Sequence, residues 1–303
     1  MEGLARMTTA PIPRLADSPM LVQSEILRDS NQIVHAFGTR HGGVSRVPYA
    51  TLNLGMSVGD DPQAVEENRR RFFGRFGLRP SQVVRVKQVH GDGVLRVDES
   101  LVSRQGFPRL LLDEGYEYDA LVTHLRGLAL VVSTADCLPL LIHDPVRGIV
   151  AAVHAGWRST AKRIAARALE AMAAAYVTEP ADCRVAIGPG IRRCCFEVDA
   201  SVMNAMMAAL PTWAEHTVAT GPGHFHLDLA GVNRAILLGA GVRPDRIADV
   251  GLCTACRTDL FFSHRAEKPR TGRMMNLILL RVETPTPPPH PPSAGTRGGQ
   301  GGR

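Results

Sequence analysis

Residues 128–158 read LALVVSTADCLPLLIHDPVRGIVAAVHAGWR, and these three apolar runs decide the fold. Each is short and rich in Val, Leu and Ile. Each ends in turn formers: Thr134-Ala135-Asp136, Asp144-Pro145 and Ala155-Gly156. Short apolar runs of this kind read as buried strands. Strands are therefore expected at Leu128–Ser133, Leu138–His143 and Ile149–His154, and their short connections predict a β-meander inside a mixed sheet. Working outward, the same criteria place strands at Gln32–Thr39, Val83–Val89, Ala120–Thr123, Cys183–Ile187, Ile247–Leu252 and Met274–Leu280. Helices are expected over the Ala-rich Thr160–Tyr176, over Val198–Leu210, and over Asp228–Leu238 with Asp228 as N-cap. A single domain over residues 20–283 accommodates these elements. Residues 1–19 lack periodicity and read as a flexible arm. Residues 284–303, TPTPPPHPPSAGTRGGQGGR, have too little apolar surface for a core and are expected to be disordered.

Composition excludes several function classes. No apolar run approaches the roughly 18 residues of a membrane-spanning helix, and no secretory signal pattern opens the chain. The net charge of +6 is spread over 35 basic and 29 acidic residues. Its densest cluster, Arg69-Arg70-Arg71 with Arg75 and Arg79, falls in an amphipathic helical pattern. Aromatic residues at 5% are too few for a base-stacking platform, so no nucleic-acid partner is expected. Six cysteines without an export signal point to a reducing, cytoplasmic setting and to free thiols or metal ligands.

Three strand ends carry ligand-type residues beside small or turn-forming neighbours: His90-Gly91-Asp92-Gly93, Asp136-Cys137-Leu138-Pro139 and His154-Ala155-Gly156-Trp157-Arg158. Two imidazoles and a thiolate suit Zn²⁺, and three protein ligands leave a fourth tetrahedral position open. The bland alternative is a buried thiol and two ordinary histidines. Further motifs are Thr39-Arg40-His41-Gly42-Gly43-Val44-Ser45, Thr51-Leu52-Asn53-Leu54-Gly55, Lys87-Gln88, Ile187-Gly188-Pro189-Gly190-Ile191, Cys195-Phe196-Glu197-Val198, Phe261-Phe262-Ser263 and Thr271-Gly272-Arg273. The Gly188-Pro189-Gly190 turn has amides that could face an anion. Only three basic residues are lysine, which gives Lys87 weight.

In this order the motifs resemble the YfiH-type laccase-domain family over about residues 30–280. The resemblance implies an αββα four-layer sandwich with mixed sheets, a single α+β domain. It implies a zinc-dependent purine nucleoside phosphorylase with adenosine deaminase activity, acting on a purine nucleoside and phosphate. It places the metal triad on His90, Cys137 and His154, with one Zn²⁺ per chain. Asp136, Lys87 and Arg40 are then candidate catalytic residues, and Arg40, Asn53, Lys87, Gln88 and Arg158 candidate substrate and phosphate contacts. A monomer is expected. After Phe261-Phe262-Ser263 the family continues aromatic-Arg-Arg-acidic, whereas this chain has His264-Arg265-Ala266-Glu267.

Other readings compete. A copper polyphenol oxidase fits poorly, because 11 histidines include one His-x-His pair, His224-Phe225-His226; a single blue-copper site remains compatible with a His₂Cys set. A cysteine hydrolase would use Cys137 as nucleophile and His154 as base. A non-catalytic protein would hold a structural zinc with Cys194, Cys195, Cys253 and Cys256. That last reading is disfavoured by the expectation that adjacent cysteines do not readily reach one ion. Editing of cell-wall precursors, suggested for some relatives, would use the same pocket.

Overall fold

The computed structural model describes residues 20–28, 30–105 and 111–282. The expected arm (1–19) and tail (284–303) lie outside the described residues. The chain begins with β1 (Leu21–Val22), the one-turn helix α1 (Glu25–Arg28), β2 (Ile33–Gly38) and α2 (Pro62–Gly74). Next come β3 (Val83–Lys87), β4 (Val94–Val97), α3 (Glu99–Gln105), β5 (Leu111–Glu117), β6 (Ala120–Thr123) and β7 (Ala129–Thr134). The hairpin of β8 (Leu138–Asp144) and β9 (Ile149–Ala155) leads into α4 (Trp157–Ala161) and α5 (Ile164–Tyr176). Then follow β10 (Arg184–Ile187), β11 (Glu197–Asp199), α6 (Ala200–Ala209), β12 (Thr217–Gly221), β13 (His224–Leu227) and α7 (Leu229–Gly239). Two strands finish the fold, β14 (Ile247–Asp249) and β15 (Met274–Leu280).

The strands form two six-stranded mixed sheets, in the orders β1-β2-β15-β7-β3-β5 and β14-β10-β8-β9-β6-β4, with β11-β13-β12 as a small third sheet. Between the two large sheets, Phe37, Val84, Leu130, Val132 and Ile278 pack against Leu121, Leu141, Val150 and Ala152. On the outer face of the first, Phe72 and Phe73 of α2 cover Val34, Val131 and Leu277. On the outer face of the second, Ile164, Leu169 and Met172 of α5 and Ile236 of α7 cover Leu140, Ala151 and Val153. The result is the expected αββα sandwich. It also explains why the apolar runs do not alternate. In β7, Leu130 and Val132 face one layer while Ala129 and Val131 face the other, so all four are buried.

Three expectations are corrected. The meander is absent: β8 pairs with β9, but β7 belongs to the other sheet, between β15 and β3. A strand buried on both faces carries no pattern that says which sheet it joins. The chain crosses between sheets at Ala135-Asp136-Cys137, where Asp136 has φ 97°. The Thr160–Tyr176 helix is two helices, α4 and α5, separated at Arg163, whose φ of 61° cannot continue a right-handed helix. The Val198–Leu210 segment opens as β11; Asp199 then caps α6 by accepting the Ser201 and Val202 amides. Asp228 caps α7 as expected, accepting the Gly231 amide.

Candidate metal centre

The end of β9, the turn after β3 and the crossing before β8 meet at one edge of the sandwich. There the ligand-capable atoms of His90, Cys137 and His154 all lie within 4.8 Å of one another. Cys137 Sγ is 3.9 Å from His90 Nε2, and the two imidazole centroids are 4.9 Å apart at 74°. Zinc–nitrogen and zinc–sulfur bond lengths in a tetrahedron separate the donors by about 3.6 Å. The donor set and its spacing therefore fit a divalent ion. His154 is buried, Cys137 half-buried and His90 exposed, so the group opens toward solvent at His90.

Asp119, which precedes β6 and was not singled out from sequence, holds this arrangement. Its Oδ1 accepts from His154 Nδ1 at 2.8 Å and from the His90 amide at 3.0 Å. Its Oδ2 accepts the Gly91 amide at 2.6 Å and the Val89 amide at 3.2 Å. Burial pushes the Asp119 carboxyl up, but these partners outweigh it and hold the group below its ordinary value, as a carboxylate. A charged acceptor on Nδ1 leaves His154 Nε2 as the ligand atom. The three amides also brace the left-handed backbone of His90, at φ 57°. An acidic residue at the mouth of an apolar strand was the available signal. Asp119→Asn should lower metal affinity or turnover about 10- to 100-fold with the fold retained, measured by metal titration and kcat/KM.

Burial also pushes the Cys137 thiol up, but His154 and His90 outweigh it and bring it to about 6. Burial lowers His154, yet Cys137 and Asp119 lift it to about 9. Metal-free protein at pH 7 thus holds a thiolate beside an imidazolium at these positions. A metal needs the thiolate and a neutral imidazole, so metal uptake at pH 7 must displace the His154 proton. Proton release from this pair should be about one per ion at pH 7. It should fall as pH rises past 9, where His154 is already neutral, and grow below 6, where Cys137 is also protonated. Calorimetry in buffers of different ionisation enthalpy measures it.

The other expected site residues fall into two groups. Asp136 is buried beside Cys137, and its carboxylate accepts the Thr254 hydroxyl at 2.6 Å and the Arg265 amide at 2.6 Å. Arg40 donates to Glu267 at 2.8 Å and to the carbonyls of Ala50 and Thr258, with Phe262 under its guanidinium. Asn53 is fully buried, bonding Gly55, Asp60 and the Arg273 amide. Gln88 binds the Ser133 amide and carbonyl through both ends of its side chain, tying the His90 turn to β7. These four hold loops in place. Lys87 and Arg158 are exposed; Lys87 pairs with Glu117 at 2.6 Å, and Arg158 stacks on Trp157. The expected anion-facing turn is corrected. The Gly188, Gly190 and Ile191 amides are spent on Pro139, Leu252 and Asp136 carbonyls, because the loop packs back onto the sheet. The four remaining clustered cysteines are corrected too: Cys194, Cys195, Cys253 and Cys256 do converge.

A buried carboxylate behind a His₂Cys set gives this αββα scaffold a candidate metal site. Residues 34–281 match the family described as multi-copper polyphenol oxidoreductase laccase, and the chain belongs to that family. It is similar to the purine nucleoside phosphorylase of Deinococcus radiodurans, 41% identical over 84% of this chain and 92% of that protein. It is also similar to purine nucleoside phosphorylase YlmD of Geobacillus stearothermophilus, 38% identical over 81% of this chain and 89% of that protein. Among solved structures, the hypothetical protein YfiH of Bacillus licheniformis has a TM-score of 0.81 at 33% identity, covering 88% of this chain and 98% of that one. YlmD of Geobacillus stearothermophilus has a TM-score of 0.78 at 35% identity, covering 89% and 96%.

Proposed function

We propose that this protein is a zinc-dependent purine nucleoside phosphorylase whose metal is held by His90, Cys137 and His154. The observation that carries the reading is the convergence of those three side chains on one another, beside the Asp119 carboxylate that holds His154 and the His90 backbone, in a chain whose relatives bear that activity's name. Two imidazoles and one thiolate are borderline-soft donors suited to Zn²⁺. When bound, the ion supplies fixed positive charge for an anionic reactant or a sugar hydroxyl. In phosphorolysis a phosphate oxygen bonds to C1′ of the ribose while the C1′–N9 bond breaks. The electron pair leaves with the purine, which takes a proton, and ribose 1-phosphate is the second product.

The protein's part is to position and to neutralise. Arg158, stacked on Trp157 two residues from Gly156, offers a guanidinium for phosphate. Lys87 can exchange its exposed carboxylate partner for the same dianion. Asp136, Arg40, Asn53 and Gln88 act through the loops they brace, as positioning residues. Adenosine deamination, with water entering and ammonia leaving at C6, extends the reading to the same pocket. We place the enzyme in the cytoplasm, working as a monomer; six cysteines with no disulfide among them support a reducing setting.

A multicopper reading lacks donors, since the described residues offer one His₂Cys group and one all-cysteine group. His224 and His226 lie on β13 beside Glu197, outside both. The Cys137 thiolate beside His154 keeps a cysteine hydrolase as the second reading. The deciding experiment incubates metal-analysed protein with adenosine, with and without phosphate and with a chelator, following adenine and inosine separately. Adenine formed only with phosphate, and lost on chelation, is expected. Chelator-resistant, phosphate-independent turnover overturns the proposal in favour of the hydrolase.

A further inference from the structure

The second cluster of ligand-type side chains is 61 or 62 residues apart in sequence where its closest sulfurs meet. Cys194 Sγ and Cys195 Sγ lie 3.5 and 3.3 Å from Cys256 Sγ, and all four sulfurs, Cys253 included, fall within 4.8 Å of one another. Two one-turn loops face each other to make this group. In the first, the Cys195 and Phe196 amides both donate to the Arg192 carbonyl, so consecutive cysteines curl to the same side. In the second, the Arg257 amide donates to the Cys253 carbonyl across Cys253-Thr254-Ala255-Cys256. Sulfurs at zinc bond lengths in a tetrahedron stand about 3.8 Å apart, close to what is found here.

We propose that Cys194, Cys195, Cys253 and Cys256 form a second, closed metal site, a structural zinc tetrathiolate separate from the His₂Cys centre. Four protein ligands leave no open position, which is the structural rather than the catalytic pattern. The segment that needs such a staple is evident. Residues 250–273 run from β14 to β15 with no helix or strand, longer than irregular loops normally are without support. Arg193 in the first loop lines the cleft beside Cys194, while the Arg192 guanidinium is spent on Asp249 and the Gly188 and Leu252 carbonyls, tying the first loop to the second. An open cleft lined by Arg192, Arg193, Cys194, His226 and Asp249 gives the ion a route in.

The site also connects to the first centre. Thr254, inside the Cys253–Cys256 loop, donates to Asp136, whose neighbour Cys137 is a first-centre ligand. The Thr254 amide donates to the Gly190 carbonyl, and the Ile191 amide to the Asp136 carbonyl. An ion that clamps the two cysteine loops therefore fixes the backbone on which Asp136 rests.

The test is metal stoichiometry, which does not depend on turnover or on the activity proposed above. Full-length protein, stripped under reducing conditions and dialysed against Zn²⁺, should retain about two equivalents per chain, and Cys256→Ser about one. Cys137→Ser loaded with Co²⁺ should show the intense thiolate charge-transfer and d–d bands of a tetrahedral all-sulfur site, absent from Cys137→Ser/Cys256→Ser. Should Cys256→Ser fail to fold, alkylation mapping on the wild type replaces it. Zn²⁺ should shield Cys194, Cys195, Cys253 and Cys256, and chelation should expose them. One equivalent unaffected by Cys256→Ser, equal alkylation with and without Zn²⁺, or a Cys256 disulfide in protein kept anaerobic throughout would each overturn the proposal.

Discussion

His154→Ala is expected to lower kcat/KM by about 10³-fold or more and to abolish stoichiometric metal binding at the His₂Cys centre. Loss of several kcal/mol of fixed charge at the reacting centre corresponds to that factor. The substitution has a second consequence. In the metal-free protein Asp119, fully buried, would lose the charged partner on its Oδ1, keeping only backbone amides. Breaking a buried pair from one side costs about 3 kcal/mol, so the melting temperature should fall too. His154→Gln separates the effects, since its amide can still donate toward Asp119 while offering no imidazole. It should recover stability without recovering metal or turnover. Near-wild-type turnover in either variant would remove His154 from the ligand set.

The strain at the site has a common logic. His90 and Asp136 are both non-glycine residues with positive φ, one a ligand and the other adjacent to one. Such conformations persist only where surroundings over-determine them. Asp119 supplies the bonds at His90; Thr254 and the Arg265 amide supply them at Asp136. Both anchors are carboxylates satisfied by hydrogen-bond donors from other loops. The ligand positions are thus set by buried polar networks rather than by apolar packing, and a loop substitution far in sequence can disturb them. Arg265 illustrates this: its guanidinium bonds the Cys195 and Glu197 carbonyls while its amide holds Asp136. The next residue, Ala266, donates its amide to the Ser263 hydroxyl.

The central strands were legible because double-sided burial forces uninterrupted apolar runs, and Ala120–Thr123 and Met274–Leu280 match residue for residue. By contrast β1, β4, β5, β11, β12 and β13, short or lacking such runs, were not expected. Sheet membership was not legible. β7 and β8 read alike yet lie in different sheets, and the deciding feature is a backbone angle at Asp136 that an aspartate does not advertise. The closeness of His90, Cys137 and His154 was foreshadowed by ligand residues at strand ends, but the spacing left it open and the family resemblance singled the three out. Asp119 was not, since a single carboxylate before a strand usually faces water. The cysteine cluster was misjudged from adjacency alone: a turn closed on the Arg192 carbonyl folds neighbouring side chains to one side, which spacing rules do not capture.

Gly156→Ala makes the sharpest probe of whether that edge of the sandwich is a metal centre. Gly156 is the N-cap of α4 with φ −76° and ψ 170°, a conformation open to any residue, so alanine meets no backbone strain. A Cβ there would stand 2.9 Å from Cys137 Sγ and 3.0 Å from His90 Cδ2, pressing on two ligands at once. Both must yield by some tenths of an ångström. Misplacement on that scale is expected to reduce kcat/KM by about 10²-fold and to weaken metal retention in parallel. Stability should fall by about 1 kcal/mol or less, the scale of a changed helix cap. Activity and metal affinity falling together, with the melting curve of the apoprotein nearly unmoved, is the signature of a displaced ligand set. A variant that lost stability while keeping its metal would mean that Gly156 guards packing, and that the ion, if any, sits elsewhere.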